Sequence, residues 1–349
     1  VVELAKDGGR VEFTQPDIML AVYDFTPQHA VLGGMLLGTA TVMRMWLTGR
    51  VLGVSGIAGG IVKGSHFDAQ RWAFVGGLIA GGFALQTFYP AAFSATNLTP
   101  WRAALGGLAV GLGSGMGNGC TSGHGISGNA RLSVRSMAYT LTFMGAGFVA
   151  ASLTHSARDV TSIHAPLMPI GALIEIAASM LMVHVAAYAA VSGLVVSKAL
   201  AASTSMTLLS FLDGSLFACG LGLSGMTSAA KVAQFLDVSA GSWNPTLMFV
   251  MAGGLGITAP FMLALVIPKV LKRPVVASKF DLPSNKVIDK QLITGGILFG
   301  AGWGLAGMCP GPALVNIASP HGAPLLWVAA MFAGIKAADL PQVKKLVCK

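Results

Sequence analysis

Residues 106–120 read Gly106-Gly107-Leu108-Ala109-Val110-Gly111-Leu112-Gly113-Ser114-Gly115-Met116-Gly117-Asn118-Gly119-Cys120. Residues 295–309 read Gly295-Gly296-Ile297-Leu298-Phe299-Gly300-Ala301-Gly302-Trp303-Gly304-Leu305-Ala306-Gly307-Met308-Cys309. At a constant shift of 189, six of the fifteen positions are identical: five Gly and the closing Cys. Gly is 46 of 349 residues, so chance supplies one or two such matches, not five plus a Cys. The register continues downstream, where Phe143 and Gly145 meet Phe332 and Gly334. These observations point to an internal duplication whose halves pack about a pseudo-two-fold axis. A fainter echo pairs Gly53-Val54-Ser55-Gly56-Ile57 with Gly222-Leu223-Ser224-Gly225-Met226. It predicts that each half holds a G-x-S-G segment ahead of its Gly-rich one.

Composition sets the solvent. Charged residues make up 10% of the chain, against about 25% in soluble domains. Hydrophobic residues make up 54%, and mean hydropathy is +0.72. Too few charges remain to cover a soluble globule, and disorder requires the opposite balance. The expected fold is an all-α polytopic membrane protein with short re-entrant or discontinuous helices around a central pore. The apolar segments are uneven. Trp72 to Phe93, Ser133 to Leu153 and Thr246 to Pro268 can span, and Ala30 to Trp46 barely can. Val51 to Val62, Trp101 to Met116, Gln291 to Gly307 and Ala323 to Lys336 are short. Leu208 to Met226 is expected to be interrupted at Asp213, Gly214 and Gly222.

Five units follow: a polar leader over 1–29, a first membrane repeat over 30–153, a connector over 154–204 containing the long apolar run Pro166 to Ala202, a second repeat over 205–340, and a basic tail over 341–349. The net charge is +9, and Lys269, Lys272, Arg273, Lys279, Lys286 and Lys290 fall in one loop. That is the positive-inside pattern of a multi-pass protein of the cell (inner or plasma) membrane. No basic stripe is interleaved with aromatics, so nucleic acid is not an expected partner.

The chemistry concentrates at the two repeat ends. The first reads Gly117-Asn118-Gly119-Cys120-Thr121-Ser122-Gly123-His124-Gly125, and its mate reads Gly307-Met308-Cys309-Pro310-Gly311-Pro312. Gly119 and Gly311 let the backbone turn beside each thiol. Thr121 and Ser122 are good N-caps, and Pro310 suits a first helical turn. Half-helix N-termini at membrane depth would present N–H groups and a positive dipole end to an anion. Gly53, Ser55, Gly222 and Ser224 would complete a small polar wall.

These paired motifs resemble the signatures of the YeeE/YedE family, the sulphur-transport domain, over roughly residues 30–340. The resemblance implies an inverted-repeat permease with an hourglass profile that moves thiosulfate past paired thiols. It further implies no cofactor and no enzymatic activity, with a small soluble sulfurtransferase-type protein as a possible partner at the cytoplasmic face. Some relatives are linked to selenium, so a selenium compound stays open as substrate. One departure is plain: family members carry a further Cys near the segment that here reads Arg50-Val51-Leu52-Gly53. Cys219 is read either as its replacement in the pore wall or as a packing residue.

The remaining residues divide between function and structure. His124 is either a proton carrier or anion ligand, or a hydrogen-bonded structural histidine. Glu175 is a functional or interfacial carboxylate. Met116 and Met308 are a soft constriction or ordinary packing. Asp213 and Asp237 are read as helix caps, and Cys348 as a bystander. No second Cys or His pair accompanies Cys120 and His124, so a tetrahedral metal site is not expected. Two rival functions stay open. A membrane thiol oxidoreductase or persulfide carrier would normally show a C-x-x-C pair, which is absent. A neutral-solute channel leaves the paired Cys unexplained.

Overall fold

The computed structural model describes residues 25–64, 67–93, 97–160, 169–319 and 322–343. Most of the expected leader, the last residues of the tail and Cys348 lie outside the described residues. The described chain is helical throughout. The first half holds α1 (Pro27–Thr48), α2 (Val54–Lys63), α3 (Ala69–Phe88), α4 (Pro100–Gly117), a π-helical segment (Thr121–Gly128) and α5 (Val134–Leu153). The connector holds α6 (Ser156–Asp159) and α7 (Ile170–Val196). The second half holds α8 (Ala202–Leu223), α9 (Ala229–Leu236), α10 (Thr246–Phe261, with a π-helical extension Met262–Val266), α11 (Lys290–Ala306), α12 (Pro310–Val315) and α13 (Ala323–Ala337).

Among the described residues, five helices are long and apolar enough to cross a membrane: α1, α5, α7, α8 and extended α10. A bent pair, α11 with the segment Pro310–Ala318, passes the same test with a 49° bend. The chain is a multi-pass integral membrane protein. Helix ends follow local chemistry. Asp68, Ser133, Ser228 and Asp289 cap α3, α5, α9 and α11 with side-chain acceptors, and Gly49 closes α1 with φ of 72°.

The two halves hold the same sequence of elements, and their contacts match. α1 packs on α10 as α8 packs on α3, and α4 packs on α13 as α11 packs on α5. The counterparts α4 and α11 cross directly, with Gly113 against Gly295 and Gly106 against Gly302. The contact order is reversed along the two chains, so these helices run antiparallel. α1 and α8 are antiparallel too: Gly33 meets Gly220, whereas Arg44 meets Asp213. A Cβ on Gly113 would overlap the backbone of Phe299, so the Gly repeat is what lets the backbones touch.

Two expectations need correction. α8 is continuous through Asp213, Gly214 and Gly222, because Asp213 is ion-paired and Gly214 packs on the Phe74 carbonyl. The G-x-S-G echo does not mark equivalent places. Gly53 to Ile57 opens α2, whereas Gly222 to Met226 ends α8 and turns at Gly225, φ 76°. α1 and α8 begin and end 175 residues apart, and that offset aligns Gly53 with Ser228; both are N-caps.

Candidate permeation site

α4 ends with Asn118 in the left-handed conformation, φ 56°, and α11 ends with Gly307 at φ 64°. These residues are 189 apart. Each is followed by an extended Cys that stands as N-cap of the next short helix, Cys120 at φ −139° and Cys309 at φ −106°. The tight turn therefore falls on Asn118 and Gly307, not on Gly119 and Gly311 as expected. Gly119 is needed for another reason: its Cβ would lie 2.5 Å from the His124 ring.

The thiols are buried, and the segments that carry them meet. The Thr121 hydroxyl donates to Cys309 Sγ at 3.7 Å. Cys120 Sγ lies 3.2 Å from Ser122 Oγ and accepts from the Ser55 N–H of α2 at 3.4 Å. Ser122 also accepts from the Val54 N–H at 3.1 Å. Thr121 and Ser122 thus serve the neighbouring thiol and the neighbouring helix rather than capping their own. The first two N–H groups of α2, which an isolated helix would leave unpaired, are aimed at Cys120 and Ser122. Gly123 sits against Gly53, where a Cβ on Gly53 would be 3.3 Å from the Gly123 Cα. Pro310 takes the first turn of α12, and Gly311 packs against Leu221 and Phe217.

Two cavities border these segments. Toward the 267–289 loop is a cavity of about 500 Å³ walled by Gly117–Gly119, Gly123 and His124 together with Arg44, Arg50, Arg71, Arg131 and Arg135. A second, small chamber is where Cys120, Thr121, Ser122, Gly311 and Pro312 meet Phe217, Leu221, Val250 and Met251. The segments that carry the thiols therefore border both an arginine-rich vestibule and a mostly apolar chamber, and Cys309 itself lines neither.

Several expected residues sit elsewhere. Phe217 and Leu221 share the chamber face of α8; Cys219, two residues from each, falls on the opposite side of the helix and does not line it. Ser224 bonds back to the Leu221 carbonyl at the end of α8. His124 is a structural clamp: Nε2 donates to the Gly117 carbonyl at 3.2 Å, so Nδ1 accepts from the Ser136 hydroxyl at 3.0 Å. Met116 and Met308 are buried outside the two cavities, and Met226 and Met251 line the chamber instead. Glu175 is exposed near the start of α7. Asp237 is a C-cap residue that accepts from the Ala157 N–H.

The arginines are what the sequence reading missed. Arg44 lies inside α1 and pairs with Asp213 inside α8 at 3.2 Å, with side chains 4% and 0% exposed. Tyr188 of α7 donates to the same carboxylate at 2.9 Å. Asp213 is therefore the counter-ion of a buried pair, not a cap. An Arg and an Asp inside apolar helices are functional candidates by default, and that signal was present.

The fold and site define a multi-pass membrane protein whose helix breaks enclose a polar crossing. A family model described as a family of unknown function (DUF6691) matches residues 205–346. A "Probable transporter" of Xylella fastidiosa (strain Temecula1 / ATCC 700964) is 44% identical over 133 residues, which are 38% of this chain and 88% of that protein. Another, from strain 9a5c, is 46% identical over 122 residues, 35% of this chain and 82% of the relative. A further one from the Temecula1 strain is 43% identical over 125 residues, 36% and 92%. The chain belongs to the family of these proteins. The same 133 residues are 88% of one chain and 38% of the other, so that relative is less than half as long. No solved structure matches.

Proposed function

We propose that the protein is a permease for thiosulfate or a related sulphur-containing anion, built from two inverted membrane repeats. The observation that carries this reading is the contact of Thr121 with Cys309. It brings the two Cys N-caps together beside a chamber that Cys120, Thr121, Gly311 and Pro312 line, with the arginine-lined vestibule bordered by the neighbouring Gly117, Gly119 and Gly123. The antiparallel counterparts α1/α8 and α4/α11 support inversion, and the half-length relatives support a repeat as the unit of the family. The relatives' name supports transport.

An anion leaving water loses several kcal/mol of hydration unless other dipoles replace it. Here the Thr121 and Ser122 hydroxyls and the thiols supply that replacement. Such ligands hold an anion loosely enough to release it. Thiolates would repel it. The 267–289 loop, rich in Lys and Arg, lies on the vestibule side. Among the described residues, Arg102, Arg158 and Lys231 are the basic ones toward the other end. The vestibule is accordingly the cytoplasmic mouth, where a small sulfurtransferase-type partner would collect the cargo.

A persulfide carrier makes a different prediction. Intact-mass spectrometry after thiosulfate exposure, with and without alkylation, separates the two. The permease gives unmodified thiols whose alkylation slows as thiosulfate rises. A gain of one sulfur on Cys120 or Cys309 that forms and decays with turnover contradicts it.

A further inference from the structure

The vestibule carries more positive charge than its own structure neutralises. Arg44 faces Asp213, Arg71 bonds Asp68 at 3.0 Å, and Arg135 lies 3.9 Å from Asp289. Among the described residues, the partners of Arg50 and Arg131 are neutral: the Gln70 amide oxygen at 2.6 Å and the Ser127 and Pro283 carbonyls. Arg50 and Arg44 line the same cavity. Two guanidinium groups sharing a wall repel until an anion lies between them. Arg44 is buried, lines the cavity, and keeps Nε without a partner. An adjoining cavity of about 390 Å³ shares Arg71 and Asn118 with the vestibule, and there the buried Ser55 hydroxyl has no partner either. Asp281 adds one carboxylate to the wall, which the arginines outnumber.

The geometry points to a second anion site, distinct from the thiol crossing: the vestibule binds a small divalent oxyanion, with Arg44 and Arg50 innermost and Arg131 at the rim. Guanidinium forks match the oxygens of such an ion in pairs, which favours sulfate-like ions over chloride. The volume lies within the roughly 300–1,000 Å³ of small-molecule sites, so the ion keeps part of its water. Pro283 and Asn285 of the 267–289 loop close the outer wall, which favours a free ion over a lipid headgroup with its chains. The site's place on the path rests on the permease reading; the binding itself does not. Arg44 stands opposite Asp213, so an arriving dianion competes with that carboxylate for one guanidinium. Occupancy of the vestibule is thereby linked to the contact between α1 and α8.

The test is a thermal-shift titration of the purified full chain with sodium sulfate and sodium thiosulfate, against sodium chloride at matched ionic strength. Ligand that binds the folded state raises the melting temperature saturably. Both dianions should do so and chloride should not. Arg50→Gln with Arg131→Gln should weaken the apparent affinity about tenfold, the loss expected from charged hydrogen bonds. The ligand-free melting temperature of that variant reports whether it still folds, and Arg131→Gln alone, at the rim, gives a second reading. Cys120→Ala with Cys309→Ala should keep the affinity within about twofold while losing uptake, since it leaves every vestibule ligand in place. Unsaturable or chloride-equal stabilisation, or unchanged affinity in the arginine variants, overturns the site. Loss of binding in the cysteine variant instead places the anion at the thiols and spares the permease reading.

Discussion

Asn118 and Gly307, 189 residues apart, end equivalent helices in the same left-handed turn, and each hands the chain to an extended Cys. The two helix ends share a backbone conformation although their side chains differ. Asn is one of the few residues that tolerates this region, through local hydrogen bonding; Gly reaches it without strain.

Substitution at these two positions should therefore be asymmetric. Asn118→Gly should leave the melting temperature nearly unchanged. Gly307→Val should lower stability by roughly 2 kcal/mol or more, since it adds left-handed strain of about 1–2 kcal/mol to a clash with the Ala229 carbonyl. Melting curves of the purified variants check both.

The buried pair gives a second prediction. Arg44→Ala or Asp213→Ala strands an uncompensated charge inside the membrane domain, at a cost of about 3–5 kcal/mol. Asp213→Asn combined with Arg44→Gln should recover a large part of that loss. A double-mutant cycle on melting temperature that shows simple additivity would count against the pairing.

Gly119→Val should stop transport. The added atoms collide with His124, whose clamp on Gly117 and Ser136 holds the turn in front of Cys120. Membrane insertion should be normal, as judged by yield and gel-filtration profile, while uptake falls at least about tenfold. Parental uptake in this variant would place the path elsewhere.

Cys219 provides a control of the opposite sense. It faces away from the chamber walled by Phe217 and Leu221. Cys219→Ala should keep parental uptake, and should melt slightly lower because a buried sulfur is removed. A transport loss as large as that of the other thiols would return Cys219 to the wall.

The parts legible in the sequence are those written in one stretch. The Gly spacing of residues 106–115 and 295–304 marked the two segments as alike, and the structure shows why the Gly are there: they let α4 and α11 cross backbone to backbone. The helix breaks at Cys120 and Cys309 were legible because each motif is contiguous. The vestibule was not, because its arginines come from the end of α1, the loop after it, the start of α3, and the turn before α5. Only the fold makes them neighbours. Asp213 was misread for a related reason: a carboxylate in an apolar run resembles a cap until its partner, far away in sequence, is seen. The G-x-S-G echo misled because two short Gly–Ser turns can look alike while one opens a helix and the other closes one.

The central claim is that the anion passes between the segments carrying Cys120 and Cys309. Uptake of radiolabelled thiosulfate by proteoliposomes tests it directly, with the parent protein, each single Ala variant and the double variant reconstituted at equal density. The account predicts saturable parental uptake, and loss of most of it in Cys120→Ala, Cys309→Ala and the double variant. Undiminished thiosulfate uptake by the double variant would contradict the account.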